Sequence, residues 1–151
     1  MNGTIVPVRI KGVYLIQTTG GPTPFVLLED NAKRMMPIYI GLAEAISINA
    51  ALNHEVPARP MTHDLFMSLL ERMGATINNI LIDELNEGVY FARLSVSSDG
   101  LHFELDARPS DCIALALRCE APIQVQESVL TGAIIRTEEL DGVMSLDNFI
   151  S

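Results

Sequence analysis

At 151 residues, 48% of them hydrophobic, the chain has the length of one domain and enough apolar material for a sizeable core. Its 19 acidic residues against 10 Lys and Arg leave a formal charge of −9, which excludes a nucleic-acid grip built on a broad basic surface, so any such role must rest on a local site. The mean hydropathy of +0.28 is spread over short runs, none near the roughly eighteen apolar residues of a membrane span. No basic-then-apolar secretory segment opens the sequence. The expectation is a cytoplasmic protein without a membrane partner.

In chain order, Thr4 to Gln17 mixes β-branched residues with Arg9 and Lys11, as a strand with a bulge near Gly12 would. Thr19-Gly-Gly-Pro22 turns it, Phe25 to Leu28 is a second strand, and Met35 to Ile40 a third. The apolar spacing then changes to that of a helix, with Leu42, Ala45, Ile46, Ile48 and Leu52 on one side and Glu44 in its first turn. A second helix is announced by Arg59-Pro60-Met61-Thr62-His63-Asp64, with Thr62 as N-cap, a buried stripe of Leu65, Phe66, Leu69, Leu70 and Met73, and Gly74 as the stop.

Ala75 to Leu85, Val89 to Val96 and Leu101 to Asp106 read as a second meander, joined by turns at Asn86-Glu-Gly88 and Ser97-Ser-Asp-Gly100. Arg108-Pro109 breaks the last strand, because the residue before proline avoids the helical region. Ser110 is placed to cap the third helix, and Asp111 adds negative charge where the helix dipole favours it. That helix runs apolar through Cys112, Ile113, Ala114, Leu115, Ala116 and Leu117 until Pro122, and a helix so uniformly apolar is buried. Cys112 and Cys119 share it, about 10 Å apart at helical rise, too far for a disulfide. Ile123 to Leu130 is strand-like, and 131–151 forms an acidic, weakly patterned tail after a domain of 1–130. The fold class is α+β: two antiparallel β-meanders forming a mixed sheet with three helices.

The chain repeats itself. Ile38 to Asn49 overlays Leu105 to Ala116, pairing Glu44 with Asp111 and Ile46 with Ile113, which suggests an internal duplication; any strand-to-helix junction would give a similar overlay. A closer echo lies between Arg59-Pro60-Met61-Thr62-His63-Asp64 and Arg108-Pro109-Ser110-Asp111, each an Arg-Pro corner followed by a hydroxyl and an aspartate.

Those corners, with Pro37-Ile-Tyr-Ile-Gly41 and Glu44-Ala45 before them and Ile113-Ala-Leu-Ala116 and Ala121-Pro-Ile123 after, resemble the bifunctional nuclease domain family over about 25–130. Cys112, where alanine is expected, is a small departure. The resemblance implies an α+β domain and nuclease activity on DNA and RNA. It brings no firmly assigned catalytic set.

Phosphodiester hydrolysis requires an activated water, neutralisation of the charge developing on phosphate, and help for the leaving oxygen. The residues on offer are Asp64, Asp106, Asp111 and Glu44 as oxygen ligands for Mg2+ or Mn2+, His63 as a base, and Arg59 and Arg108 as phosphate clamps, with His63, Asp64, Arg59 and Arg108 as the catalytic set. The same residues also make sense as structure: Arg59 pairing with Asp111 and Arg108 with Asp64 across the helix starts, while Thr62 and Ser110 cap. His54 and His102, beside turns, are expected in solvent.

There is no GxxxxGK[ST], GxGxxG, HExxH or GxSxG motif, which sets aside the nucleoside-triphosphatase, dinucleotide and common hydrolase readings. With 5% aromatics and no tryptophan, base stacking is poorly supplied. Two functions remain open: a metal-dependent nuclease, or a non-enzymatic module that self-associates or binds a protein partner. Long apolar strands and exposed meander edges point to a homodimer or higher homo-oligomer in either case.

Overall fold

A computed structural model describes residues 3–150; positions 1, 2 and 151, the last of these ending the expected tail, lie outside the described residues. The first meander comprises β1 (Ile5–Thr18), β2 (Gly21–Asp30) and β3 (Met35–Tyr39), and leads into α1 (Leu42–Leu52). After α2 (Thr62–Arg72) comes the second meander, β4 (Ala75–Asn86), β5 (Val89–Ser98) and β6 (Leu101–Ala107), leading into α3 (Pro109–Cys119). The chain continues through β7 (Ile123–Gln126), α4 (Glu127–Ala133), a 3-10 turn at Thr137–Leu140, β8 (Met144–Ser145) and α5 (Leu146–Ile150).

All the strands join one mixed sheet in the order β3-β2-β1-β7-β4-β5-β6, with β8 also pairing β1. The short β7 welds the meanders, lying antiparallel to β1 and parallel to β4. The α+β expectation, two antiparallel meanders within a mixed sheet, is the architecture found. The bulge expected near Gly12 appears as a register shift between Ile10 and Gly12. Both hairpins of the second meander turn through paired left-handed residues, Glu87-Gly88 and Asp99-Gly100, the geometry that matches strand twist.

Helix α3 lies at the centre of the helical layer, with Cys112 through Ala116 buried against α1, α2 and the β4–β5 strands. The opposite face of the first meander is closed by the C-terminal residues: Phe25, Leu27 and Met35 pack with Ile135, Leu140 and Val143. Strand β2 is therefore buried on both faces, which is why Phe25 to Leu28 reads as a continuous apolar run rather than an alternation.

Several expectations need correction. Among the described residues there are five α-helices, not three, because Glu127–Ala133 and Leu146–Ile150 are helical as well. The segment read as a weakly patterned tail packs on the domain, with Leu146 fully buried in the main core and the Asp147 carboxylate accepting from Asn49 of α1 and from Asn53 just after it. None of α2 is fully buried: Phe66, Met67 and Leu70 pack on the core, whereas Leu65, Leu69 and Met73 face outward. Cys112 and Cys119 are free thiols, as their spacing requires. Burial pushes the Cys112 thiol up to about 12, so it is an inert core residue.

Neither expected cap works as a cap. Thr62 is the first residue of α2, and its side chain makes no capping bond. Helix α2 is closed instead by Asp64, whose carboxylate accepts the Met61 amide at 2.8 Å. Ser110 is the second residue of α3, buried behind Pro109, and Arg108 occupies the cap position without a side-chain bond. Proline at the first helical position pre-sets the backbone, so the start two residues earlier costs no amide bond at Pro109.

Candidate functional site

Glu44, Asp64 and Asp111 each occupy the third position of their helix. The three helix starts meet on one side of the sheet, where a carboxylate near the first-turn amides is favoured by the helix dipole. This common placement turns three separate sequence motifs into one polar cluster.

The centre of the cluster is His63. Its Nδ1 lies 2.6 Å from Ser47 Oγ and its Nε2 lies 2.9 Å from Asp111 Oδ1. Arg118 donates to Ser47 Oγ from Nη2 at 3.1 Å, which leaves the single hydroxyl proton of Ser47 for His63 Nδ1. In the neutral ring the remaining proton therefore sits on Nε2 and is donated to Asp111. Arg108 approaches Asp111 from the other side, with Nε 2.9 Å from Oδ2 and Nη2 3.2 Å from Oδ1, while Nη2 also lies 3.3 Å from Glu44. Burial pushes the Asp111 carboxyl up, but the bonds from Arg108 and His63 outweigh it and hold the group below its usual value.

Behind Ser47, Arg118 acts as a strut. Its Nε donates to Asp64 at 2.8 Å, its Nη1 to the Ala114 carbonyl of its own helix at 2.9 Å and its Nη2 to Ser47, tying α3 to α2 and α1. The Arg118 side chain is only 10% exposed. Its hydrogen bond to Asp64 is the main reason that carboxyl is held low, against the opposing effect of burial.

Three cavities surround the cluster. One of about 280 Å3 is lined by Glu44, Ser47, Thr62, His63, Arg108 and Asp111. A second, about 310 Å3, lies on the other side of the His63–Asp111 pair and is walled by Phe66, Leu94, Leu105 and Leu115, with Asp106 at its rim. The third, about 460 Å3, shares Glu44 and Arg108 with the first.

The structure thus brings together Glu44, His63, Arg108 and Asp111 around one cavity, with Asp106 on the next. Asp64 sits behind them, engaged by Arg118. Arg59 is exposed on the loop before α2, against Pro60, Met61 and Leu65, and makes no hydrogen bond or ion pair with a described residue. The cross-pairing of Arg59 with Asp111 and Arg108 with Asp64 is not formed; Arg108 bonds within its own helix start, and Arg118 takes Asp64. Among the described residues, no three His, Cys, Asp or Glu side chains are grouped to hold a metal ion. Glu44 and Asp111 both face Arg108, whose charge competes with a cation for them, and exposed Asp106 is not grouped with them. The set does not fit a cage of three protein ligands.

Two members escaped the sequence reading. Ser47 follows Glu44 by one turn of α1, and Arg118 follows Asp111 by two turns of α3, so each pair shares a helix face. That periodicity was the available signal: a lone arginine near the end of an apolar helix needs a buried partner. His54 and His102 lie in solvent, as expected.

A mixed-sheet α+β domain with a hydrogen-bonded histidine–aspartate pair and a guanidinium at three converging helix starts is the class that fold and site define together. The family model of the bifunctional nuclease domain matches residues 25–138, and the chain belongs to that family. It is 37% identical over 126 residues to an uncharacterized protein of Mycobacterium tuberculosis, covering 83% of this chain and 74% of the relative. It is also similar to bifunctional nuclease 2 of Oryza sativa subsp. japonica, 31% identical over 123 residues, covering 78% of this chain and 38% of the relative. For bifunctional nuclease 1 of Arabidopsis thaliana the identity is 31% over 120 residues, covering 78% and 37%. The chain thus spans well under half the length of these plant relatives.

Proposed function

We propose that the protein is a nuclease hydrolysing phosphodiester bonds of DNA and RNA, with His63 and Asp111 as its acid–base couple and Arg108 as its phosphate clamp. The observation that carries this reading is the His63 ring held between Ser47 and Asp111 on the wall of a cavity that also presents Arg108. A ring fixed at both nitrogens has a defined tautomer and orientation, which acid–base catalysis requires.

In the proposed reaction a non-bridging phosphate oxygen docks on Arg108, whose side chain is 63% exposed despite its two carboxylate partners. Water attacks phosphorus, and its proton passes to the Asp111 carboxylate, which His63 Nε2–H and Arg108 orient, as the new P–O bond forms. The bond to the leaving oxygen breaks, and the couple returns the proton to that oxygen. Arg108 offsets the charge that accumulates between these events. Glu44 holds the guanidinium in place, and Arg118 orients Ser47. No step is routed through a metal; Mg2+ or Mn2+ dependence is a condition to be tested.

A second reading, a self-associating module in which the cluster is structural, is favoured by one observation. Strand β6 is an edge strand whose Leu101, Phe103 and Leu105 are all exposed. A second copy pairing along that edge would cover them. A homo-oligomer is compatible with both readings, as is the proposed cytoplasmic location; among the described residues no helix is long and apolar enough to cross a membrane.

The deciding experiment digests supercoiled DNA and RNA with purified wild type, His63→Ala, Asp111→Asn and Asp64→Asn, each with Mg2+, Mn2+ or EDTA. Cleavage lost in the first two variants and retained in folded Asp64→Asn supports the assignment. Cleavage unchanged in His63→Ala and Asp111→Asn overturns the residue roles. A wild type inactive under every condition favours the self-associating module.

A further inference from the structure

The cavity of about 460 Å3 is unused by the chemistry above, yet Glu44 and Arg108 belong to its wall and to that of the smaller catalytic cavity. Arg108 is therefore the partition between the two. Its bonds to Asp111 use Nε and Nη2, and Nη1 makes no hydrogen bond with a described residue. On the far side of Arg108 the wall is formed by Tyr39, the last residue of β3, and Tyr90 of β5, with Val89 and Gly88 of the hairpin tip between them in the lining.

These two tyrosines come from opposite meanders and line one cavity with Arg108. Tyr39 is 58% exposed, an uncommon state for a large ring at the end of a core strand, and its inner edge rests on Phe25, ring centroids 5.6 Å apart at 51°. It is thus propped from behind and open in front. Tyr90 is half-buried, and burial together with the neighbouring Tyr39 pushes its hydroxyl up, so it remains a neutral hydrogen-bond donor.

We propose that this cavity is a nucleobase subsite, in which a base stacks on Tyr39 beside the Tyr90 hydroxyl and its attached phosphate lies on Arg108. The proposal rests on the nuclease reading for its biological sense and deepens it by naming a substrate unit: a nucleotide with an unpaired base. The volume lies within the usual range of small-ligand pockets, about 300–1,000 Å3. Stacking on one ring is tolerant of base identity, which suits activity on both DNA and RNA. A base inside a duplex cannot enter, so single strands, loops and ends are the substrates selected. This also reconciles a chain of charge −9 with a polyanionic substrate, since recognition then depends on one phosphate and one base rather than on a basic track.

The test is binding rather than cleavage, in EDTA, with thymidine 5′-monophosphate and base-free deoxyribose 5-phosphate as probes. The chain has three tyrosines, and ring-labelled protein separates Tyr39 and Tyr90 from Tyr14 by NMR. Thymidine monophosphate is expected to shift Tyr39 and Tyr90 and leave Tyr14 in place, whereas the base-free probe leaves all three unchanged. Tyr39→Ala is expected to weaken the nucleotide at least about fivefold, and Tyr39→Phe to restore binding, since stacking needs only the ring. Equal shifts from both probes, no binding of the nucleotide, or unchanged affinity in Tyr39→Ala would overturn the subsite. Because no catalysis is measured, a wild type that binds the base but cleaves nothing leaves the subsite standing and removes the nuclease reading.

Discussion

His63 Nε2 and Asp111 Oδ1 are 2.9 Å apart although the residues are separated by 48 positions in sequence. The contact exists because α2 and α3 begin side by side, and it joins the two Arg-Pro corners at their helix starts rather than through their arginines.

Ser47 accepts from Arg118 and donates to His63, which makes it a positioning residue. Ser47→Ala removes both hydrogen bonds; the one that orients His63 is worth about 1–1.5 kcal/mol, so cleavage is expected to fall roughly tenfold, against the 100-fold or greater loss of His63→Ala. Equal losses in the two variants would instead make Ser47 a direct participant in the reaction.

Arg118 is nearly buried and holds Asp64, Ser47 and the Ala114 carbonyl. Arg118→Met leaves a partly buried carboxylate without its partner and is expected to cost about 2 kcal/mol of folding stability. Urea unfolding reads this directly. A midpoint equal to that of wild type would show that the strut contributes nothing.

Gly41 precedes α1 in an extended conformation open to any residue, but a Cβ there would lie 2.3 Å from the Glu44 carboxylate oxygen. Gly41→Ala should therefore fold normally and swing Glu44 away from Arg108. The expected outcome is a change in KM of the same sense as in Glu44→Gln. Retention of wild-type kinetics by Gly41→Ala while Glu44→Gln is altered would show that the carboxylate has a second productive position.

Asp30, Asp64 and Asp111 all have carboxyls held below their usual value of 3.8: at Asp30 hydrogen bonds from Arg34 and the Ala32 amide outweigh the upward push of burial, as Arg108 and His63 do at Asp111, and at Asp64 Arg118 leads. The folded chain binds these protons more weakly than the unfolded one, so this stability is present above about pH 4 and lost as the pH falls through the lowered values. Urea midpoints followed from pH 7 to pH 3 should decline below about pH 4, and less steeply in Asp64→Asn. An identical acid limb in the variant would remove Asp64 from the account.

With Arg108 as the cation the site offers to substrate and Arg59 on the exposed loop before α2, single-stranded DNA affinity should depend weakly on salt, with a log–log slope of about −1 to −2. Fluorescence anisotropy between 50 and 300 mM salt, over which the Debye length falls from about 14 to about 6 Å, measures it. A slope near −6 would reveal a basic track that neither composition nor the described surface provides.

By itself the sequence determined the two meanders, the three principal helices, the burial of α3 and the free cysteines, because strand alternation, proline stops and helical spacing are local properties. It also marked Glu44, His63, Arg108 and Asp111 as polar residues at element junctions. What it did not determine was partnership. Arg118 chose Asp64, Arg108 stayed with Asp111 and Glu44, Arg59 was left in solvent, and two tyrosines 51 positions apart came to line one cavity, all through the way β7 sets the meanders side by side. The C-terminal helices were also decided by tertiary packing: short segments with weak periodicity are not stable helices alone, and theirs form because Leu146 and Val129 find a core already built by the sheet.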